Sequence, residues 1–242
     1  MKDLYSDFRK FATDKKINGR YLSGAVLDDY HKFTNYQSPM VYQTSPEYGV
    51  ALPVHTKLLE SNILIINDFE QEAADIVCGQ LLYLNNCDGE KDITLHINSY
   101  GGDTTALYSI LDVCNYITNP INTVAMGIAA SCGACLLILG GGYGHRYAQP
   151  NSSILIHQPS TSVHGPAADI EITCNEINRI KKNMFQSIAD RSGNDYETIN
   201  KLAQRDCWLT AEQCLEYHFI DKILEPQPKK IITYNEWLAT KD

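Results

Sequence analysis

An α/β fold built on a mostly parallel sheet is predicted by three features of the sequence. Short apolar runs rich in Ile, Leu and Val alternate with longer segments whose apolar residues recur at helical spacing. The strand–helix pairs follow one another at intervals of about 30 residues, the length of a βαβ unit. The 242 residues have a globular composition, 44% hydrophobic and 20% charged with 15 Gly and 9 Pro. That excludes disordered, collagen-like and fibrous classes, and the length fits one large domain or one domain with an appendage.

Residues 1–38 are polar, Tyr- and Lys-rich and weakly periodic, and read as an arm or lead-in. Composition shifts near Pro39-Met40-Val41, where a domain over 39–226 begins, leaving 227–242 as a tail. Ile63-Leu64-Ile65-Ile66 predicts a buried strand ended by Asn67-Asp68, and 70–84 a helix. The alternation over 92–98 predicts a second strand running into Ser99-Tyr100-Gly101-Gly102. A helix over 104–117 follows, stopped by Asn119-Pro120. Residues 122–126 predict a third strand and 131–139 a short, very apolar helix closed by Gly140-Gly141-Gly142. Residues 153–157 predict a fourth strand. The segment 166–191 breaks this rhythm. Pro166 suits a first helical turn, where its missing N–H costs nothing. Apolar residues at 170, 177, 180, 184 and 188 share one helical face. Such a helix, about 39 Å long at 1.5 Å per residue, is longer than one small domain needs, so part of its apolar face is expected to pack on another subunit.

The net charge is −9 and the sequence pI about 5.2, which disfavours nucleic acid and anionic membranes. The longest apolar stretches, such as 134–139, fall far short of a membrane span. Met1-Lys2-Asp3-Leu4-Tyr5 has no apolar signal-peptide core, and its acidic residue opposes a transit peptide. The 8 Cys are irregularly spaced. The single C-x-x-C, Cys132-Gly133-Ala134-Cys135, has neither a second pair nor a histidine at zinc-finger spacing, so buried free thiols in a reducing, cytoplasm-like compartment are expected. The run Gly140-Gly141-Gly142-Tyr143-Gly144 follows a helix instead of opening one and lacks the P-loop Lys, which makes it a flexible turn. His31, His55, His145, His164 and His218 lack metal-ligand spacing, and Asp169 and Glu171 read as surface charges near a helix start.

One stretch carries chemistry. In Gly127-Ile128-Ala129-Ala130-Ser131-Cys132-Gly133-Ala134 a strand ends, small residues turn tightly, and a Ser opens an apolar helix. The helix N-terminus supplies unpaired N–H groups for an oxyanion, the setting an activated Ser needs. Plain helix capping by Ser131 is the alternative. His157, at the end of a hydrophobic strand, can sit at the C-terminal edge of the sheet and act as the base. A carboxylate would fix its tautomer, and periodicity leaves Asp169, Asp190, Asp195, Asp206 and Asp221 open.

Several motifs, dispersed over 39–226 and in one order, resemble the ClpP family of barrel-forming serine peptidases. They are Pro39-Met40-Val41, Glu90-Lys91-Asp92-Ile93, Ile97-Asn98-Ser99-x-Gly101-Gly102, Ala129-Ala130-Ser131-x-Gly133-Ala134, Pro150-Asn151-Ser152, His157-Gln158-Pro159, Asp169-Ile170-Glu171-Ile172 and Arg205-Asp206. The resemblance implies Ser131 as nucleophile, His157 as general base and Asp206 as the residue that orients it. It implies the backbone N–H groups of Gly102 and Cys132 as oxyanion donors, Cys132 standing where the family usually has Met. It further implies the spiral of ββα units shared with crotonases. The long helix becomes a protruding handle through which two heptameric rings of a homo-oligomer meet, and Arg205 ties the site to that contact.

By the same resemblance the substrate is unfolded polypeptide fed by a hexameric AAA+ unfoldase. ATP is used by that partner, and no cofactor or metal is expected here. Unfoldase docking falls on Thr94, His96, Tyr116, Tyr147 and Leu224, with Thr94 and His96 polar where the family has aromatics. Tyr100 replaces the familiar Pro before the double Gly, and His218 a familiar Gly. Residues 1–38 exceed the usual lead-in, leaving a propeptide, a pore gate or a partner-binding arm open. Two other readings are a non-catalytic subunit of a mixed ring and a crotonase-like acyl-CoA enzyme. The first is generally marked by loss of triad residues, and the second has no use for a Ser/His/Asp set.

Overall fold

The computed structural model describes residues 40–44 and 49–225; the arm 1–38 and the tail 227–242 lie outside the described residues. The chain divides into two compact units, Met1–Leu58 and Leu59–Asp242. In the first, β1 (Met40–Thr44) and β2 (Gly49–Pro53) pair antiparallel and lead into α1 (Val54–Leu59).

The second unit runs β3 (Ile63–Ile66), α2 (Gln71–Cys87), β4 (Ile93–Ser99), α3 (Thr104–Tyr116), β5 (Ile121–Ala130), α4 (Cys132–Gly140), β6 (Arg146–Ala148), β7 (Ser153–Ile156), α5 (Ala167–Ser192), α6 (Tyr196–Leu202), β8 (Cys207–Leu209), α7 (Ala211–Glu216) and β9 (Lys222–Ile223). Its seven-stranded sheet has the order β3-β4-β5-β6-β9, and β7 pairs with β5 beyond β6. Every pairing is parallel except β7 with β8. The parallel α/β expectation holds.

β5 organises the sheet, and it is longer than the predicted 122–126. Its residues Thr123–Ala125 pair with β6 and Ile128–Ala130 with β7. Between these stretches the register against β4 shifts, Ile97 facing Ala125 but Ser99 facing Ala129. Gly127 sits in this bulge with φ 77°, and a Cβ there would lie 3.0 Å from Asn98 Oδ1. Asn98 Oδ1 in turn accepts from Ile128 N at 3.3 Å. A bulge that bends one strand across two successive neighbours aims its end away from the rest of the ladder, and Ser131 follows that end directly.

α4 is apolar all round because it is buried all round, from Cys132 to Ile138. Leu95 and Ile97 of β4, Leu107 and Ile110 of α3, and Leu136 and Leu137 of α4 are fully inaccessible. α5 spans 26 residues, with Pro166 at its N-cap and Gly193 in left-handed conformation at its C-terminal end. Only its second half enters this core, through Met184, Phe185, Ile188 and Ala189. Ile170, Ile177 and Ile180 are half-buried and Ile172 is exposed.

The thiols are not uniformly buried as expected. All eight are unbridged, but Cys87 and Cys174 are exposed. The glycine run after α4 is a turn whose tightness has a cause: a Cβ on Gly141 would come within 2.7 Å of Thr123 Oγ1. The short strands β6, β8 and β9 and helices α6 and α7 escape the sequence patterns, since two to seven residues carry too little periodicity.

A buried ion pair fastens the C-terminal segment. The Arg146 guanidinium, 3% exposed, forks onto Asp221 through Nε (2.9 Å) and Nη2 (2.6 Å), while Nη1 donates to His218 O at 3.0 Å. Burial alone would raise the Asp221 pKa, but the hydrogen bonds and charge of Arg146 outweigh it and hold the carboxyl below its ordinary range. Removing one partner of such a pair strands the other charge. Asp221→Asn is therefore expected to cost about 3 kcal/mol, on the order of 6–12 °C in Tm. Because the folded-state value is depressed, the pair's contribution is full above the unfolded carboxylate range and is lost as pH falls through the folded value. Melting below about pH 4 should therefore narrow the difference between wild type and variant.

Candidate active site

Ser131 is held in a strained turn. Its N–H donates to Leu155 O of β7 at 2.9 Å, and its own carbonyl accepts from Cys135 N at 3.0 Å, the first bond of α4. Between these anchors its φ is 55° and ψ −117°, a conformation that costs a non-glycine residue roughly 1–3 kcal/mol. Ser131 occupies the N-cap position, yet its hydroxyl makes no capping hydrogen bond. The capping alternative thus accounts for its place but not for its side chain.

The loop after β4 is pressed against this turn. Gly101 and Gly102 have φ of 102° and 154°, which L side chains rarely adopt. A Cβ on Gly101 would stand 2.6 Å from Ser131 Cβ and 3.1 Å from Cys132 N; one on Gly102 would stand 2.7 Å from Phe69 O. The flanking amides are committed elsewhere. Gly101 N donates to the buried Ser99 Oγ at 3.0 Å, and Asp103 N to Phe69 O at 2.8 Å. The Asp103 carboxylate caps α3 by accepting from Thr105 and Ala106. Gly102 thus lies between two fixed residues and beside Cys132, the first residue of α4. The Cys132 thiol donates to Gly102 O at 3.2 Å, and burial pushes its pKa up to about 11, keeping it a neutral packing group. Ser99 falls in the motif quoted for the glycines, whereas Phe69, more than 30 residues before them, had no sequence signal.

His157 is the first residue past β7. It shares with Ser131 a cleft walled by Cys135, Ile156, Met184, Phe185 and Ile188. Asp206 Oδ1 lies 3.6 Å from His157 Nδ1, the carboxylate 69% and the imidazole 28% exposed. The other four carboxylates left open by the sequence have different surroundings. Asp169 stands in the first turn of α5, Asp190 accepts from Gln186 Nε2, Asp195 caps α6, and Asp221 pairs with Arg146.

Arg205 is exposed beside Asp206, and Tyr100 projects into solvent at 81% exposure. Thr94 and His96 lie on one face of β4, and the register His96↔Val124↔Tyr147 puts Tyr147 on the same face. Leu224 N donates to Ala148 O at 2.9 Å at the adjoining edge, whereas Tyr116 stands exposed at the end of α3. Burial lowers the pKa of His96. His145 Nδ1 lies 2.6 Å from Asn122 Oδ1 and His218 Nδ1 3.3 Å from Ser192 O, while His31 is outside the described residues. Among the described residues no group of three or more His, Cys, Asp or Glu could hold a metal ion, and no helix is long and apolar enough to cross a membrane.

This packing predicts that Gly102→Ala displaces the loop without touching Ser131. Labelling of Ser131 by a serine-reactive phosphonate should slow by about 10²-fold, the scale of one lost oxyanion donor, with Ser131→Ala as the unlabelled control.

Comparison with known proteins gives the family of the chain. The family model described as Clp protease matches residues 49–227. The chain is 37% identical over 226 residues to the ATP-dependent Clp protease proteolytic subunit of Porphyromonas gingivalis, covering 93% of this chain and 100% of the relative. It is 37% identical over 220 residues to the protein of that name from Bacteroides thetaiotaomicron, covering 90% and 98%. It is 44% identical over 173 residues to the ATP-dependent Clp protease proteolytic subunit 1 of Bacillus cereus, covering 71% and 89%. With most of its length matched by the family and by full-length relatives, the chain belongs to the Clp protease family.

Proposed function

We propose that this protein is the serine endopeptidase core of a compartmentalised protease, with Ser131, His157 and Asp206 as its catalytic residues. The observation that carries the reading is Ser131 itself, strained, uncapped and sharing a cleft with His157. Asp206 faces Nδ1 of the imidazole, which leaves Nε2 for the hydroxyl. His157 takes the Ser131 proton as Oγ bonds to the peptide carbonyl carbon. Negative charge develops on the carbonyl oxygen, and the amides of Gly102 and Cys132 receive it. Collapse breaks the C–N bond, His157 protonates the departing amine, and water releases the acyl group by the same steps in reverse roles.

These steps use only side chains and backbone amides, so the chemistry calls for no cofactor, and any ATP is spent by the unfolding partner. The side chains beside Ser131, Met184 and Phe185 among them, are apolar, which favours an apolar P1 residue and offers little further recognition. Selectivity then comes from enclosure in stacked heptameric rings, in keeping with the half-buried Ile170 and Ile177 on the free half of α5, a handle face for a second copy. Arg205 beside Asp206 would carry that contact to the site. The domain over 39–226 forms the ring. A hexameric AAA+ unfoldase would dock over Thr94, His96, Tyr116, Tyr147 and Leu224 and feed it unfolded chains in the cytoplasm.

The test is hydrolysis of short fluorogenic peptides by the assembled protein. Wild type should cleave after Leu or Met at least about tenfold faster than after Asp or Lys, since a charge in the apolar cleft loses hydration without a partner, and Ser131→Ala should cleave neither. Equal turnover in Ser131→Ala would overturn the assignment.

A further inference from the structure

We infer that Gln158 is a positioning residue, holding the turn 203–206 so that Asp206 faces His157. The inference rests on the catalytic reading above. The antiparallel ladder of β7 and β8 ends at the pair Ile156↔Cys207. His157 and Asp206 are the next residues on either side, opposite one another but past the last fixed pair. Asp206 is exposed, so burial does not set its place, and at 3.6 Å its contact with the imidazole is longer than a hydrogen bond. Gln158 supplies the missing constraint. Its backbone N–H donates to Ala203 O at 2.9 Å, and its side-chain Nε2 donates to Gln204 O at 3.0 Å. The second bond ties down a carbonyl two residues before Asp206. Without it the segment between Ala203 and Cys207 is free to swing its carboxylate away from Nδ1, and catalysis is sensitive to displacements of about 1 Å.

The amide bond lies on the exposed side of the turn, so its loss should leave the fold intact. Gln158→Met and Gln158→Glu keep the length of the side chain and remove its donor. Both should lower kcat for peptide hydrolysis by about tenfold, with KM within about twofold of wild type and Tm within a few degrees. The readout that separates positioning from mere structure is the cycle with Asp206→Ala, followed through the rate of Ser131 labelling by a phosphonate so that slow variants stay measurable. If Gln158 acts through Asp206, adding Gln158→Met to Asp206→Ala costs nothing further. Retention of at least half of wild-type kcat, a loss confined to KM, or a loss that multiplies onto that of Asp206→Ala would overturn the role of Gln158 while leaving the triad standing. Full activity in Asp206→Ala would instead overturn the assignment of Asp206, and the role of Gln158 with it.

Discussion

Two backbones approach one another more closely at Ser131 than side chains would allow, and the site depends on that approach. The turn from β5 to α4 and the loop after β4 touch where Gly101 has no Cβ to collide with Ser131, and the same loop rests against Phe69, before α2, where Gly102 has none. Each half of the contact is held from behind. Leu155 anchors the amide of Ser131, while Ser99 and Phe69 anchor the amides on either side of Gly102. Strain at Ser131 persists because these bonds and the buried α4 leave it no alternative. The result is a half-buried Ser131 lining the cleft at the start of a buried helix.

The sheet sets the distances between the parts. β5 is shared between β6 and β7, and its bulge at Gly127 separates the two pairings. That arrangement places the end of β5 against the end of β7, hence Ser131 next to the strand that carries His157. The antiparallel return of β8 then brings Asp206 opposite His157. Three residues far apart in the chain meet because three strand ends meet. The ion pair of Arg146 with Asp221 closes the far side of the same sheet, fixing β6 against the turn that leads to β9.

Surface features divide by what covers them. The cleft beside Ser131 is apolar and walled by α5, so the same helix that projects its first half outward forms part of the site with its second half. The half-buried His96 lies on a different sheet face, where burial keeps the imidazole neutral to lower pH than usual.

Local pattern alone determined a good deal. The parallel α/β class, strands β3, β4 and β7, the helices between them and the length of α5 were legible because each is an apolar period long enough to register. Ser131 and His157 were legible because the small residues around one and the strand before the other are local features, and ordered motifs made the family legible. Only the tertiary structure decided the rest, for one physical reason: those decisions are made by groups distant in sequence. Local pattern left Asp206 as one of five open carboxylates and the Arg205-Asp206 motif singled it out by resemblance; the return of β8 along β7 is what shows it 3.6 Å from His157, with the other four in other surroundings. The sequence left capping open as the alternative for Ser131; its positive φ and the lack of a capping bond appear only in the structure. Ser99 and Gln158 stand in those motifs, but their supporting roles and that of Phe69 were not legible, because a hydrogen bond to a loop carbonyl depends on where the loop runs and not on the residue type alone.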